Sequence, residues 1–384
     1  MPDSSAPQPI WLDFKDKHRC GILVGSGFLD RLPVLIETHG AGVLTPERKV
    51  LLLYDSAVET HYGARIDTAL RAYNVIKHVV PAGEGSKSFS ALEALCTRAL
   101  SAGIDRKTLV IAVGGGVIGD LGGFAASILL RGLPLVHVPT TLLAHVDSAI
   151  GGKTAINAAS GKNLIGTFYQ PHLVIADSAT LASLPRRQMI AGYGEVLKYA
   201  CINDPPFFQW LQHNGKSLLN EPNSDATRYA VAHCARKKAD IVLQDETEHG
   251  VRALLNLGHS FAHALESAYG YSDTLLHGEA VIIGIVLAAR LSRQLGIAQD
   301  PQLEKTLTDH LASLDLLPPV AIDTSALRVD DLMATMARDK KNVGAHFNVI
   351  ALRAIGDAFI YKNCPPEALR AVWTRFLASN GSLS

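Results

Sequence analysis

Residues 109–120 read LVIAVGGGVIGD, an unbroken aliphatic run that passes straight into a glycine cluster and then into an apolar stretch with helical spacing. A glycine turn lets backbone amides approach an anion closely, and the N-terminus of the following helix favours negative charge. Strand, glycine turn and helix in that order are the repeating unit of an α/β fold with a parallel sheet. Gly114, Gly116 and Gly119 satisfy GxGxxG, yet no acidic residue follows at about 20 residues, where the standard dinucleotide fingerprint keeps its ribose-binding carboxylate. The loop alone is therefore a weak signal for a nucleotide.

Working outward, residues 50–54, 75–79, 135–138 and 173–176 also read as short β-branched or aliphatic strands, with helical segments such as 90–99 between them. Beyond residue 180 the strand signal fades. Stretches 226–244, 254–268 and 278–295 carry 3.6-residue periodicity, Pro318 and Pro319 interrupt the pattern, residues 347–352 suggest a late strand, and a closing helix should follow Pro365 and Pro366. The expectation is an α/β N-terminal domain with a largely parallel sheet over residues 1–180 and a mainly α-helical C-terminal domain over residues 181–384.

The 384 residues are 48% hydrophobic and 19% charged, which suffices for a large core. Lys plus Arg and Asp plus Glu number 36 each, so no global field draws the chain to nucleic acid or to an acidic membrane. The five cysteines are scattered without a CxxC pair, which points to reduced, mostly buried thiols. Residues 1–9 have neither a basic start nor an apolar run, so a cytoplasmic location is expected. The longest apolar stretch, 280–289, is about half of the roughly 20 residues that span a bilayer, and a buried helix explains it better.

Several polar residues fall at places where chemistry could occur. Asp55 ends the strand in LLLYDS and reads equally as a turn residue or as a ribose-binding carboxylate. GEGSK places Glu84 and Lys87 after another strand. IGGKTAIN imitates a phosphate loop, but Asp147 stands where a Walker motif needs glycine. What remains is an expected loop, 147–163, whose Lys153, Lys162 and Asn163 could grip a phosphate or could be ordinary surface residues.

In NLGHSFAHALE, His259 and His263 lie four apart on a helix and project from one face. His277 opens the next helix in LLHGEAV, and Glu195 sits with Lys198 in GEVLKY. Catalytic zinc takes about three such ligands and leaves a position open. Glu195, His259 and His277 could supply them, and these ligand types leave iron open as well.

Taken together, GGGVIGDLGGFAAS, Arg131, VPTTLLAHVDSAIGGKTAIN, GKNLIGTFYQP, GEVLKY, LLNLGHSFAHALE, HGEAV and DKK resemble the 3-dehydroquinate synthase family, in order, over roughly residues 50–356. The resemblance implies a homodimeric enzyme using NAD and zinc or cobalt on a sugar phosphate, with a Rossmann-like N-terminal domain that holds NAD and a helical C-terminal domain that holds the metal. Asp55, Glu84, Lys87, Gly115, Gly116, Val117, Asp120, Thr140, Thr141 and Lys162 would contact NAD, while Glu195, His259 and His277 would bind the metal. Asp147, Lys153, Asn163, Lys238, Arg252, Asn256 and Lys340 or Lys341 would bind substrate, with Arg131 reaching in from the partner subunit. His263, Glu248 and Lys198 would be catalytic.

The implied chemistry is transient oxidation of an alcohol, elimination of phosphate, reduction back and intramolecular ring closure, with NAD regenerated in each turnover. Lys238 and Arg252 would pair the substrate carboxylate, which argues against a cyclase that makes an inosose or valienone-type ring. A polyol dehydrogenase would have no use for phosphate-binding residues, and a non-catalytic binding protein would not need the full chemical set. The sequence departs from the family pattern at Ala191 and Gly194, which flank Glu195 and could loosen the start of that helix slightly.

Overall fold

The computed structural model describes residues 8–16, 18–159, 161–338 and 347–383, so Lys340 and Lys341 lie outside the described residues. The chain forms two compact units, Met1–Pro185 with Glu221–Thr247, and Arg186–Asn220 with Glu248–Ser384.

The first unit is built on a seven-stranded sheet of order β1-β2-β9-β6-β5-β3-β4. Its strands are β1 (Ile10–Asp13), β2 (Arg19–Gly25), β3 (Lys49–Asp55), β4 (Asn74–Val80), β5 (Leu109–Gly114), β6 (Leu135–Pro139) and β9 (Leu173–Asp177); β7 (Lys153–Ala158) and β8 (Gly161–Phe168) form a separate hairpin. Every pairing in the large sheet is parallel except β1 with β2. The five strands legible in the sequence are those at the sheet's centre and far edge, β3, β4, β5, β6 and β9.

Strand periodicity explains why these runs are apolar throughout. Leu109, Ile111 and Val113 of β5 enter one core with Val50, Leu52 and Tyr54 of β3, whereas Val110 and Ala112 enter a second core with Leu51 and Leu53. Helices α1 (Leu32–His39) and α2 (Ser56–Ala69) contribute to the first core, and α3 (Phe89–Ser101) and α4 (Gly116–Ile128) to the second. A sheet covered on both faces has no solvent face to carry polar residues.

The expected linear division at residue 180 needs correction. Helices α5 (Arg186–Asn203) and α6 (Pro205–Asn220) belong to the second unit, but α7 (Asp225–Gln244) returns to the first. Its Ala235, Ala239 and Val242 pack in one cluster with Leu12, Ile22 and Val174 of β1, β2 and β9. That apolar face needs a partner, and helical periodicity cannot say which unit provides it.

The second unit contains α8 (His259–Ala268), α9 (His277–Gln294), α10 (Leu303–Ser313), α11 (Val329–Ala337), the antiparallel pair β10 (Phe347–Ala354) and β11 (Asp357–Cys364), and α12 (Pro366–Ala378). The apolar run at 280–289 is the interior of α9, buried on all sides. Among the described residues no helix is long and apolar enough to cross a membrane. The helix expected from residue 254 begins instead at His259: a 3-10 turn, Val251–Asn256, precedes it, and Gly258 at φ +80° breaks the run. Cys201, on α5, is fully buried, and burial pushes its thiol up, so it serves as an apolar packing group.

His137 on β6 and His310 on α10 are nearly inaccessible, at 5% and 3% exposure, and burial lowers each imidazole to about 4. His310 Nε2 lies 2.6 Å from the Tyr193 hydroxyl, within hydrogen-bond distance. The unfolded chain, with imidazoles near 6.5, binds more protons between these values. Stability should fall as pH drops from about 6.5 toward about 4. Denaturant midpoints across this range should show a slope that His137→Gln combined with His310→Gln reduces; an unchanged slope would refute the assignment.

Candidate active site

In the first unit, β3 and β5 are paired neighbours, with Tyr54 opposite Val113. Asp55 and Gly114 therefore end adjacent strands, which sets a carboxylate beside the glycine turn. The crevice at the carboxyl ends of strands where the order reverses is the usual ligand position in such sheets. Asp55 also serves as the cap of α2: its Oδ1 accepts from Val58 N at 2.8 Å. The turn role is thus present, and Oδ2 accepts no hydrogen bond among the described residues.

The N-terminus of α4 has Gly115 as its cap and no side-chain capping bond. A Cβ at Gly115 would lie 2.9 Å from Thr141 Cγ2, so the turn is bare backbone pressed against the segment that carries Thr140 and Thr141. Val117 lies in the first turn of α4. Thr140 N donates to Gly114 O at 3.0 Å, which ties that segment to the loop. This is a cradle of amides suited to a pyrophosphate.

Beside it, Lys87 Nζ lies 2.6 Å from Asp120 Oδ2 and 3.8 Å from Glu84 Oε1, and it donates to Asn163 Oδ1. Burial pushes the Asp120 carboxyl up, and Lys87 opposes that rise. Asn163, expected with the substrate residues, thus shares a lysine with the nucleotide residues. Asn157, which sequence reasoning missed, joins the group: its Nδ2 donates to Glu84 Oε1 at 2.8 Å and its Oδ1 accepts from Asn163 N at 3.0 Å. The stretch 147–163 is not a loop. It comprises a π-helical turn, Ala144–Ser148, and the β7–β8 hairpin, which carries Lys153, Lys162 and Asn163. Within the π turn, Asp147 pairs with Lys238 of α7, whose Nζ also donates to Asp147 O at 2.6 Å.

Arg131 is exposed, in a turn where Leu130, Arg131 and Gly132 have φ of 49°, 68° and 122°. Consecutive left-handed residues are strained for side chains with a Cβ, and such strain concentrates at functional turns.

In the second unit, Glu195 is 1% exposed on α5, and Lys198 Nζ, one turn on, lies 2.5 Å from its Oε2. Glu195 Oε1 faces His277 Nε2 at 3.2 Å and His259 Nε2 at 3.7 Å. The opposite nitrogens are engaged elsewhere: His259 Nδ1 lies 3.1 Å from Leu257 O, and His277 Nδ1 lies 2.9 Å from Glu266 Oε2. Two ring nitrogens and a carboxylate that converge with their outer sides held are the donor set of a divalent metal centre. Burial disfavours a charged His277, but Glu266 and Glu195 outweigh it and raise the ring to about 10 in the metal-free protein. His263 stands beside the centre, its ring centroid 5.5 Å from that of His259. Asn256 Nδ2 donates to Glu248 Oε1 at 2.7 Å, and Arg252 is buried in the same 3-10 turn. Glu266 was missed in the sequence, although it lies seven residues after His259, on the same helical face.

Backbone contacts at glycine bring this centre together. A Cβ on Gly278 would lie 1.7 Å from Ala191 O, and one on Gly194 would lie 2.3 Å from Gly278 O. Helices α5 and α9 therefore touch backbone to backbone one residue from Glu195 and one from His277. Likewise a Cβ on Gly284 would lie 2.1 Å from Gly258 O, next to His259. Helix α5 runs unbroken through Ala191 and Gly194.

The description "3-dehydroquinate synthase N-terminal" matches residues 77–191, and "3-dehydroquinate synthase C-terminal" matches residues 192–342. The chain is 46% identical over 365 residues to a 3-dehydroquinate synthase of Nitrobacter hamburgensis, covering 93% of each. The chain belongs to the 3-dehydroquinate synthase family. Among solved structures it resembles 2-epi-5-epi-valiolone synthase from Streptomyces hygroscopicus with NAD+ and Zn2+ bound, at TM-score 0.82 and 27% identity, covering 98% of this chain and 99% of that one. It also resembles 2-deoxy-scyllo-inosose synthase complexed with carbaglucose-6-phosphate, NAD+ and Co2+, at TM-score 0.82 and 25% identity, covering 95% and 99%. Family membership agrees with the fold and with the order of motifs along the chain.

Gly278→Ala places a methyl group inside the α5–α9 contact. Overpacking of this kind costs about 1–3 kcal/mol. The variant should show a lower thermal midpoint and weaker zinc binding by isothermal titration; normal zinc affinity would show that the contact does not set the ligand spacing.

Proposed function

We propose that the protein converts 3-deoxy-D-arabino-heptulosonate 7-phosphate to 3-dehydroquinate and inorganic phosphate, as an NAD- and zinc- or cobalt-dependent lyase of the shikimate pathway. The convergence of Glu195, His259 and His277 beside Lys198 carries this reading, since that set fits a metal and a reacting polyol better than a purely structural role. Identity supports the particular ring: 46% to a 3-dehydroquinate synthase, against 27% and 25% to the valiolone and inosose cyclases.

When bound, the two cofactors supply reversible hydride exchange and Lewis acidity toward oxygen. NAD would be held by the glycine turn at Gly115, Gly116 and Val117, by Asp55 at the ribose, and by Glu84, Lys87, Asp120, Thr140, Thr141 and Lys162 around it. The protein's own residues do the remainder. Lys153, Asn163 and Arg131 neutralise the phosphate, and Lys238 and Arg252 pair the carboxylate, because each anion needs a partner once withdrawn from water. Asp147 keeps Lys238 in place through their ion pair. Asn256 orients Glu248, which with His263 moves protons at the substrate carbon and oxygen atoms. Lys198 stabilises developing negative charge beside Glu195. Lys340 or Lys341 completes the substrate set.

The working form is a homodimer in which Arg131 acts in the partner's site; its exposure in a strained left-handed turn supports this role. The cytoplasm is its compartment, in keeping with free cysteine thiols and with a phosphorylated substrate that needs NAD.

Purified protein given the heptulosonate phosphate should release inorganic phosphate catalytically without net NADH accumulation, and only with both NAD and a divalent metal. Release from a carboxylate-free sugar phosphate instead would reassign the ring formed, and no release from either would remove the enzymatic reading. His259→Ala should lose both metal and activity, whereas His263→Ala should keep metal and turn over about 10²–10⁴-fold more slowly; equal metal loss in both would exchange the roles.

A further inference from the structure

Two donor sets in the second unit share one ring: Glu195, His259 and His277, and His263, Glu266 and His277. A histidine offers a metal one nitrogen at a time, so the two sets cannot both be ligand sets through the same atom. The geometry separates them. His277 turns Nε2 toward Glu195 Oε1, at 3.2 Å, and Nδ1 toward Glu266 Oε2, at 2.9 Å. We propose that Glu266 is the positioning residue of the metal centre: it accepts the Nδ1 proton of His277 and thereby commits Nε2 to the ion. This rests on the metal reading given above and goes beyond it, because it assigns a role to a residue outside the ligand and substrate sets.

Three observations carry the assignment. Glu266 is 4% exposed, and a buried carboxylate requires a donor; His277 Nδ1 is within hydrogen-bond distance. Glu266 follows His259 by seven residues and His263 by three on α8, so one helical face presents a ligand, a neighbouring imidazole and the orienting carboxylate together. The two ligand rings are oriented differently: a backbone carbonyl, Leu257 O, faces Nδ1 of His259, whereas a carboxylate faces Nδ1 of His277. A carbonyl and an ionised carboxylate both require Nδ1 to donate, and in the neutral ring that leaves each Nε2 with its lone pair. The charged acceptor holds the His277 ring more strongly than a carbonyl holds that of His259.

The test uses the full-length protein with Co2+ alone as the probe, bound in competition with a chelator at fixed pH and read from its visible absorption bands. Circular dichroism confirms that each variant is folded. Glu266→Gln keeps an oxygen that can accept from Nδ1 and should bind Co2+ within about tenfold of the unaltered protein, whereas Glu266→Ala should lose about 10–100-fold and shift the absorption bands. Glu195→Gln, a ligand variant, sets the scale for loss of a bonded carboxylate. The inference is overturned if Glu266→Ala binds as tightly as the parent, or if Glu266→Gln falls as far as Glu195→Gln, which would make Glu266 a ligand. Should the unaltered protein itself fail to bind Co2+, the metal reading fails and the positioning role falls with it.

Discussion

The second unit depends on one steric constraint, the direct contact of helix backbones where side chains are absent. Gly278 lies against Ala191 O, Gly194 against Gly278 O, and Gly284 against Gly258 O, each at a distance that no Cβ could occupy. The residues flanking these contacts are Glu195, His277 and His259. Close helix approach and ligand convergence are thus one feature: a wider α5–α9 spacing would separate a carboxylate oxygen and a ring nitrogen that now stand 3.2 Å apart. Packing energy holds the carboxylate and the imidazoles together, and against the effect of burial the Glu266 and Glu195 carboxylates raise the His277 ring above its ordinary range.

The first unit uses a different device. Its central strands are buried on both faces, so the only polar backbone left at the sheet's carboxyl edge lies in the turns, and the β3 and β5 turns are neighbours. Asp55 and the glycine turn are placed side by side by strand pairing rather than by sequence proximity. The lysine network of Glu84, Lys87, Asp120 and Asn163 is likewise built from three separate segments, the turn at 84–87, α4 and β8, with Asn157 as the cross-link.

Much of this was legible in the sequence because period-2 burial and helical periodicity leave local traces. The strand before LVIAVGGG and its neighbours were readable as apolar runs, and His259 and His263 as partners on one helix. The hairpin over residues 153–168 was not, since β8 is largely exposed and Lys162 and Asn163 within it resemble loop residues. The return of α7 to the first unit was hidden because an amphipathic face shows that a helix is buried without showing against what. The reason for glycine at position 194 was hidden likewise: in isolation glycine weakens a helix, and only the neighbour at Gly278 reveals why nothing larger fits. Glu266 carried no signal of its own until His277 appeared beside it, since helical spacing relates it to His259 and not to a residue on another helix.

The proposed metal centre has Lys198 and His263 as immediate polar neighbours, Lys198 through Glu195 and His263 through the rings of His259 and His277. The most direct test is the anomalous diffraction map of crystals grown with zinc. The account places the ion against Nε2 of His259, Nε2 of His277 and the Glu195 carboxylate, with Glu266 hydrogen-bonded to His277 Nδ1. An ion held instead by His263, Glu266 and His277 would contradict it.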